Sequence, residues 1–568
     1  MATTSEVRPV VSNEPGNLGH TQTEMAHIDV HDKAKEAELR KGFSFLSLLG
    51  LGFAILNSWT AMAASLSVSI SSGGPTAVLW GIVPAGLATW AIAASLGELL
   101  SVYPTVGGQY HISYLIAKPE HARGIAYAAG WSMLIGWQAL TSTNGSLAGT
   151  LITDIIALQY DNYELKRWHI FLVYVVFIAG AGLINIFGIV ILPLLNKTAL
   201  IWSVSGMFVI MIVVLSTAAG NFQSGSFVFT NFYNATGWPD GFAWQLGLLQ
   251  AAFGLTAFDS VCHVLEEIPN PAREGPRTMV YSILIGVFTS FFFLIAVLFS
   301  LNDFDLVTTA ASGPLLQIYY QATSSKAGAI CLLVINIGCQ AFAATGAVTA
   351  ASRVTWICAR DGIIPFGNFF GKVNKRLQVP VNAIVLSVFI PIIFACIFLG
   401  SSAALNAILS SSVILLNISY SIPVAILLFR GRGVLRPPGV GKAPFSLGDT
   451  WGPPIAAFGV LFIVYTTVLF LFPPFLPVDG TTMNYAVVVL AIVALLAAIW
   501  WFAWARTHYE GPKDIAALLA FARADGPGSS DADEKGEASS LEGAKLDEKS
   551  AVDTPSPAHH TPPKEIIN

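Results

Sequence analysis

GLGFAILNSWTAMAASLSVSISSGGP, residues 50–75, is apolar enough to enter a bilayer, yet it sets Asn57, Ser58 and Thr60, beside Trp59, at its middle. Polar side chains at that depth face a protein interior or a cavity, or bond backbone groups freed by local unwinding. Hydrogen bonding between helices by Ser, Thr and Asn is the plainer alternative. A second stretch repeats the pattern. In LLQAAFGLTAFDSVCHVLEEIPNP, residues 248–271, Gly254 and Thr256 interrupt the apolar run and Asp259 follows about one turn later. An ionisable group inside a span is costly and marks a functional site by default, here one suited to reversible protonation. A structural Asp bonded to a neighbouring hydroxyl is the alternative.

The rest of the chain fits a membrane setting. Of its 568 residues 54% are hydrophobic and only 11% charged, and the mean hydropathy is +0.65. A soluble domain is about a quarter charged, so an ordinary soluble enzyme, a nucleic-acid binder and a disordered scaffold are excluded. Twelve apolar segments follow one another at 44–69, 75–100, 123–152, 168–188, 193–217, 242–264, 277–301, 327–357, 379–399, 404–428, 452–472 and 483–505. Each has the length a spanning helix requires, and none alternates like a barrel strand. The fold class expected is therefore an all-α integral membrane protein. Its transporter domain runs over 43–505, between disordered cytoplasmic tails at 1–42 and 506–568.

The two interrupted segments are the first and the sixth, corresponding members of two five-helix halves. Paired breaks in such positions point to a transporter binding site at the midplane. Basic residues give the orientation. With the N-terminus inside, Lys118, Arg123, Lys197, Arg273, Arg277, Arg360, Lys372, Lys375, Arg376, Arg430, Arg432, Arg436 and Lys442 lie in cytoplasmic loops. Only Lys166, Arg167 and Lys326 lie opposite, a positive-inside bias. The sequon at Asn234 then falls outside, as a glycosylation acceptor. Those at Asn144, Asn196 and Asn417 fall in spans or inner loops and are expected to be silent.

Three motifs carry a family resemblance. SLGELLSVYPTVGGQY from Ser95 resembles the segment-two signature of the amino acid–polyamine–organocation permeases. FDSVCHVLEEIPNPAREGPRTM from Phe258 resembles their six-to-seven junction, and SRVTWICARDGIIP from Ser352 the end of segment eight in the fungal GABA and choline permease branch. NSW at Asn57, ISSGGP at Ile70, RWHIF at Arg167, ATGWPDG at Ala235 and FPPFLPV with MNY between Phe472 and Tyr485 look most like the fungal choline permeases. The resemblance covers 43–505. It implies a five-plus-five inverted repeat with two peripheral helices, and alternating access around the broken first and sixth helices. Carried over by position, Asn57 to Ala61 is the unwound first-helix stretch, in which Asn57, Ser58, Trp59 and Thr60 bind substrate, with Gly254 and Thr256 at the second break. Phe253 matches an aromatic gate above the substrate. Asp259 matches an acidic position that takes part in proton-linked switching in some relatives.

Side-chain chemistry marks further candidates. A quaternary ammonium is met by aromatic faces and a carboxylate, and Trp59, Trp137, Phe253, Phe258 and Tyr420 are the candidates. Gln138, Thr141, Ser142, Thr143 and Asn144 in segment three, and Asn336 and Gln340 in segment eight, either line a cavity or bond across helices. Glu98, Gly107 and Gly108 form an expected hinge and gate, with Glu98 paired to Arg353 or Arg360. Glu266 and Glu267 are expected to be solvated or paired with arginines. The five cysteines lack metal-site spacing. No catalytic group, metal or cofactor is expected.

The function expected is a secondary transporter moving a small nitrogenous solute, choline-like or amino-acid-like, through the plasma membrane, coupled to H+. An exporter or vacuolar carrier of an alkaloid-like metabolite and a nutrient transceptor are the alternatives. The partners are the solute, the proton and the lipid bilayer, with no nucleic acid.

Overall fold

The computed structural model describes residues 44–515 apart from 161, 269, 438–441, 481 and 514. The expected N-terminal tail lies outside the described residues, as does the C-terminal tail beyond 515.

Among the described residues, eleven helices are long and apolar enough to cross a membrane. They are α1 (Phe45–Ala64), α2 (Gly74–Val102), α4 (Arg167–Phe187), α5 (Leu192–Thr217), α6 (Asp240–Leu265), α7 (Pro271–Phe299), α8 (Lys326–Asp361), α9 (Val381–Gly400), α10 (Asn406–Arg430), α11 (Gly448–Leu469) and α12 (Ala486–His508). The remaining helix, α3 (Pro119–Gln159), has 41 residues and is the longest. It falls short in apolarity because it runs through the middle of the bundle. Gln138, Thr141, Ser142 and Thr143 are buried there among other helices and not against lipid. These twelve helices match the twelve segments of the sequence, in an all-α membrane architecture.

Both expected breaks are present. In α1 the break is a single residue and not the expected unwound stretch Asn57 to Ala61, because Ser58–Ala64 is already helical. Asn57 is left-handed, with φ 46° and ψ 32°, between Phe45–Leu56 and Ser58–Ala64. Asparagine tolerates that region better than most residues. In α6 the helix Leu249–Gly254 stops, Ala257 turns left-handed at φ 83°, and a 3₁₀ segment, Phe258–Glu267, continues. The chain therefore turns at Leu255–Ala257, just past Gly254. Gly254 has a different task. A Cβ on it would stand 2.6 Å from Met62 Cγ and 3.4 Å from the Ser58 carbonyl, so its missing side chain lets the two half-helices cross.

Between α2 and α3 a short connector carries the helix Gln109–Ile116. Gly108 there has φ 51° and ψ −121°, a conformation only glycine adopts easily, and a Cβ on it would meet Cys262 Cβ at 3.2 Å. Gly107 lies flat on the His111 ring, with its imaginary Cβ 2.1 Å from His111 Cδ2. The glycine pair thus seats the connector directly on the 3₁₀ half of α6. After α12 the chain turns back toward the same end: Arg123 donates to the carbonyls of Tyr509 (2.7 Å) and Arg506 (2.8 Å).

Gly254→Val tests the crossing. Overpacking costs about 1–3 kcal/mol, so the purified variant is expected to melt at a lower temperature. Adding Met62→Ala, which vacates the space, is expected to recover part of the loss.

Candidate functional site

The two ends of the bundle differ. At the end formed by the α1–α2 turn, the α5–α6 loop and the α11–α12 loop, a cavity of about 450 Å³ opens between the helices. That volume lies within the range of small-molecule sites. Its walls are the serines at Ser65, Ser67, Ser71 and Ser72, the first half of α6 with Gln250 and Phe253, Thr143 of α3, Asn406 and Ser410 of α10, and Phe470, Phe472 and Phe475. Among the described residues, no Asp, Glu, Lys, Arg or His lines it. Phe253, expected as the aromatic gate, stands in this wall.

Deeper lies the α1 break. The Asn57 amide donates to Gln340 (3.0 Å), and the Gln340 amide donates to Asn144 Oδ1 (2.8 Å) and its carbonyl (3.1 Å). Segments one, three and eight are tied here through polar residues that the sequence marks. Ser58 and Thr60 are buried beside them, and among the described residues the Ser58 hydroxyl has no hydrogen-bond partner. Trp59 turns the other way. It is fully buried, donates to Ser203 Oγ at 2.8 Å and packs on Phe293 at 4.7 Å, so it does not line the cavity. The Thr256 hydroxyl donates to the Ala252 carbonyl (2.9 Å), closing the last turn before the α6 break.

Below the breaks the bundle is closed, and Asp259 is the centre of the closure. Its carboxylate is fully buried. Oδ1 accepts from the Tyr420 hydroxyl of α10 at 2.6 Å. Oδ2 accepts from Gln109 Nε2 of the connector at 2.6 Å and Trp137 Nε1 of α3 at 3.2 Å, and lies 3.1 Å from His263 Nε2. Phe258 packs on Tyr420 with ring centroids 4.5 Å apart. Three of the aromatic candidates, Trp137, Phe258 and Tyr420, thus gather at the acid, while Trp59 and Phe253 lie apart from it.

Three further ties close the same end. Glu267 pairs with Arg353 of α8 at 3.2 Å, both buried. Glu98 at the end of α2 accepts from Arg432, Ser446 Oγ (2.8 Å) and Leu447 N (2.8 Å). The Glu98 partner is therefore Arg432, just past α10, in place of the expected Arg353 or Arg360; Arg353 is taken by Glu267, and Arg360 lies 3.3 Å from Asp361. Asp361 of α8 accepts from the Tyr110 hydroxyl (2.6 Å) and lies 2.9 Å from His111 Nε2. Burial pushes His111 below the ordinary histidine value, and Asp361 offsets this only in part. The His111 Nδ1 has no partner among the described residues.

Asn234 lies at the open end, where its amide donates to the Trp238 carbonyl (2.7 Å) and Asp240 Oδ1 (2.9 Å). His263, Gln109 and the Tyr110–His111–Asp361 set are absent from the sequence-based candidates. His263 had a signal, since it stands four residues after Asp259 and so shares its side of a helical turn. Gln109 and Tyr110 had none, because their partners are 150 and 251 residues away.

The family model described as amino acid permease matches residues 43–494. The chain is 34% identical to a choline transporter of Saccharomyces cerevisiae, over 85% of this chain and 84% of that one. It is 29% identical to an amino-acid permease of Arabidopsis thaliana, over 84% and 94% of the two chains. It is 28% identical to a swainsonine transporter of Arthroderma benhamiae, over 84% and 93%.

The depressed value of His111 gives a pH test. Below about 6.5 an unfolded chain takes up a proton that the folded site refuses, so this group's contribution to stability is lost as pH falls. His111→Gln is expected to flatten the decline in melting temperature between pH 7.5 and pH 5 relative to the unaltered protein.

Proposed function

The chain belongs to the amino acid permease family and is a multi-pass membrane transporter of small organic solutes, not an enzyme; we propose that it moves a small nitrogenous solute, choline-like first and amino-acid-like second, by proton-coupled alternating access across the plasma membrane. The observation that carries this reading is the asymmetry of the bundle: a cavity at one end and a buried carboxylate bolting the other.

The wall chemistry supports the solute class. A quaternary ammonium offers no N–H, so aromatic faces hold it best, and Phe253, Phe470, Phe472 and Phe475 line the cavity. The serines beside them suit the hydroxyl of a choline or the carboxylate of a zwitterion. The 34% identity to a choline transporter favours the same class. In this reading Asn57, Ser58, Thr60, Gly254 and Thr256 form the breaks on which the solute settles as Phe253 closes over it. Trp59 anchors the α1 half-helix through Ser203.

In the proposed orientation the cavity faces outside and the Asp259 end faces the cytoplasm, with both termini, as the basic residues prefer. Asn234 is then the glycan acceptor. Attachment before its loop closes leaves one amide hydrogen for Trp238 or Asp240. The mechanism rocks α1, α2, α6 and α7 against α3, α4, α8 and α9. Each inward opening must part Asp259 on the first set from Trp137 on the second, and draw Gly107 and Gly108 off α6 with Glu98 as a further latch. A proton at the Asp259 site holds that end shut until solute settles at the breaks, and the loaded carrier then makes the step and gives the proton up inside. The likeness to a swainsonine transporter favours one second reading, export or vacuolar transport of an alkaloid-like metabolite.

The test is uptake of radiolabelled choline, GABA and amino acids into permease-deficient yeast at pH 5 and pH 7.5. Saturable choline uptake that rises with acid is expected. Asp259→Asn should lose accumulation while keeping exchange, and Phe253→Ala should raise KM. No uptake of any solute with protein at the cell surface would overturn import and turn the search to efflux.

A further inference from the structure

A proton-coupled carrier needs a group that takes up and gives back the proton. Two buried histidines, His111 and His263, stand at this end in opposite surroundings. His111 meets Asp361 and Tyr110 through Nε2 alone, and its Nδ1 has no partner among the described residues. One N–H suffices there, which is the inventory of a neutral imidazole.

His263 differs. Its Nε2 lies 3.1 Å from Asp259 Oδ2 and its Nδ1 lies 3.3 Å from the Val106 carbonyl. A carboxylate oxygen and a carbonyl oxygen only accept. A neutral ring brings one N–H, so its other nitrogen would turn a lone pair onto an oxygen in a buried position. Only the imidazolium, a donor at both nitrogens, satisfies both contacts. Asp259 meanwhile already accepts from Gln109, Trp137 and Tyr420.

We infer that His263 is the group that carries the coupling proton, with Asp259 as its fixed counter-ion and the Val106 carbonyl as its hold on the connector; this role rests on the proton-coupled transport proposed above. In the conformation described here the ring is charged. It ties α6 to the chain just ahead of Gly107. Loss of the proton to water turns one nitrogen from donor into acceptor, and the bond to Val106 or to Asp259 lapses. The only bond made or broken is N–H, and the proton passes between water and the ring. Acid therefore favours the state with the cavity open and the far end shut, and the empty carrier waits there for solute.

Titratable and charged groups face the ring from several elements. Its own segment supplies Asp259, Cys262 and, one turn on, Glu267, which Arg353 of α8 neutralises. The connector supplies His111, on which a charged His263 acts unfavourably, and Tyr110. From α10 comes Tyr420, and from α3 the uncharged Trp137, edge-on at 5.7 Å. Glu98 of α2 is held by Arg432. Against Cys262, α7 places Met279, and α1 meets the segment at Gly52, next to Val261.

Cys262 makes this testable. It is fully buried against Gly108 and is uncovered only when the connector moves. In a full-length variant with Cys262 as the sole cysteine, labelling by a membrane-permeant maleimide is timed at pH 5.5 and pH 7.5 without solute. Each rate is divided by that of the same chain with His263→Gln at the same pH, which removes the thiol's own titration. The expected result is a ratio that falls several-fold on acidification. His263→Asn is expected to behave like His263→Gln, and retained solute exchange shows that both variants fold. A ratio that does not change with pH overturns the assignment. Uptake is read separately. If wild-type uptake ignores pH while the Cys262 ratio responds, the coupling reading fails and the assignment of the proton to His263 stands.

Discussion

A buried carboxylate must find donors, and those of Asp259 come from four parts of the chain. Tyr420 reaches it from α10, Trp137 from α3, Gln109 from the connector and His263 from its own 3₁₀ segment. Hydrogen bonds to a charged group are each worth about 1.5–3 kcal/mol. Removing one partner of a buried pair costs about 3–5 kcal/mol. A hub of this kind cannot be half open. Either the donors stay and the end is shut, or several leave together and water replaces them.

The local structure around the hub follows from that demand. Asp259 reaches the centre because α6 stops at Gly254 and Ala257 accepts a left-handed backbone. Gln109 reaches it because Gly108, where a side chain would be strained, lets the connector lie on Cys262. The Glu267–Arg353 and Glu98–Arg432 pairs then tie the ends of α6 and α2 to α8 and to the chain after α10. At the opposite end the halves of α1 and α6 are joined by neutral groups, Gln250 donating to the Met62 carbonyl and Ser69 to the Gly247 carbonyl (2.6 Å), and the cavity remains. The asymmetry of an alternating-access carrier thus reduces to one end tied by a satisfied charge and, at the other, a cavity with no charged side chain among its described lining residues.

Much of this is legible in the chain. Hydropathy gives the spans, and Asn57 and Thr256 mark where the first and sixth of them fail. Asp259 stands out because an acid in a span has no cheap explanation. Partners are the harder part. Trp59 reads as a solute contact because it sits beside the break, yet helical direction points it to Ser203 and Phe293. Arg432 is invisible as the Glu98 partner because a sequence gives charge and order but not which loop folds back on which helix end. Gly254 reads as a breaker, whereas its small size serves a crossing with Met62 that depends on three-dimensional packing.

The central claim is that the Asp259 hub holds one end shut and must part in each cycle. It is tested most directly by measuring that end itself. Spin labels at Arg273, exposed at the start of α7, and Glu120, exposed at the start of α3, report the separation of the moving and fixed helices in lipid nanodiscs. The account predicts one short distance without solute at pH 5.5, and a second, longer population in Asp259→Asn under the same conditions. An unchanged, single short distance in Asp259→Asn would contradict it, for the end would then be closed by something other than the buried carboxylate.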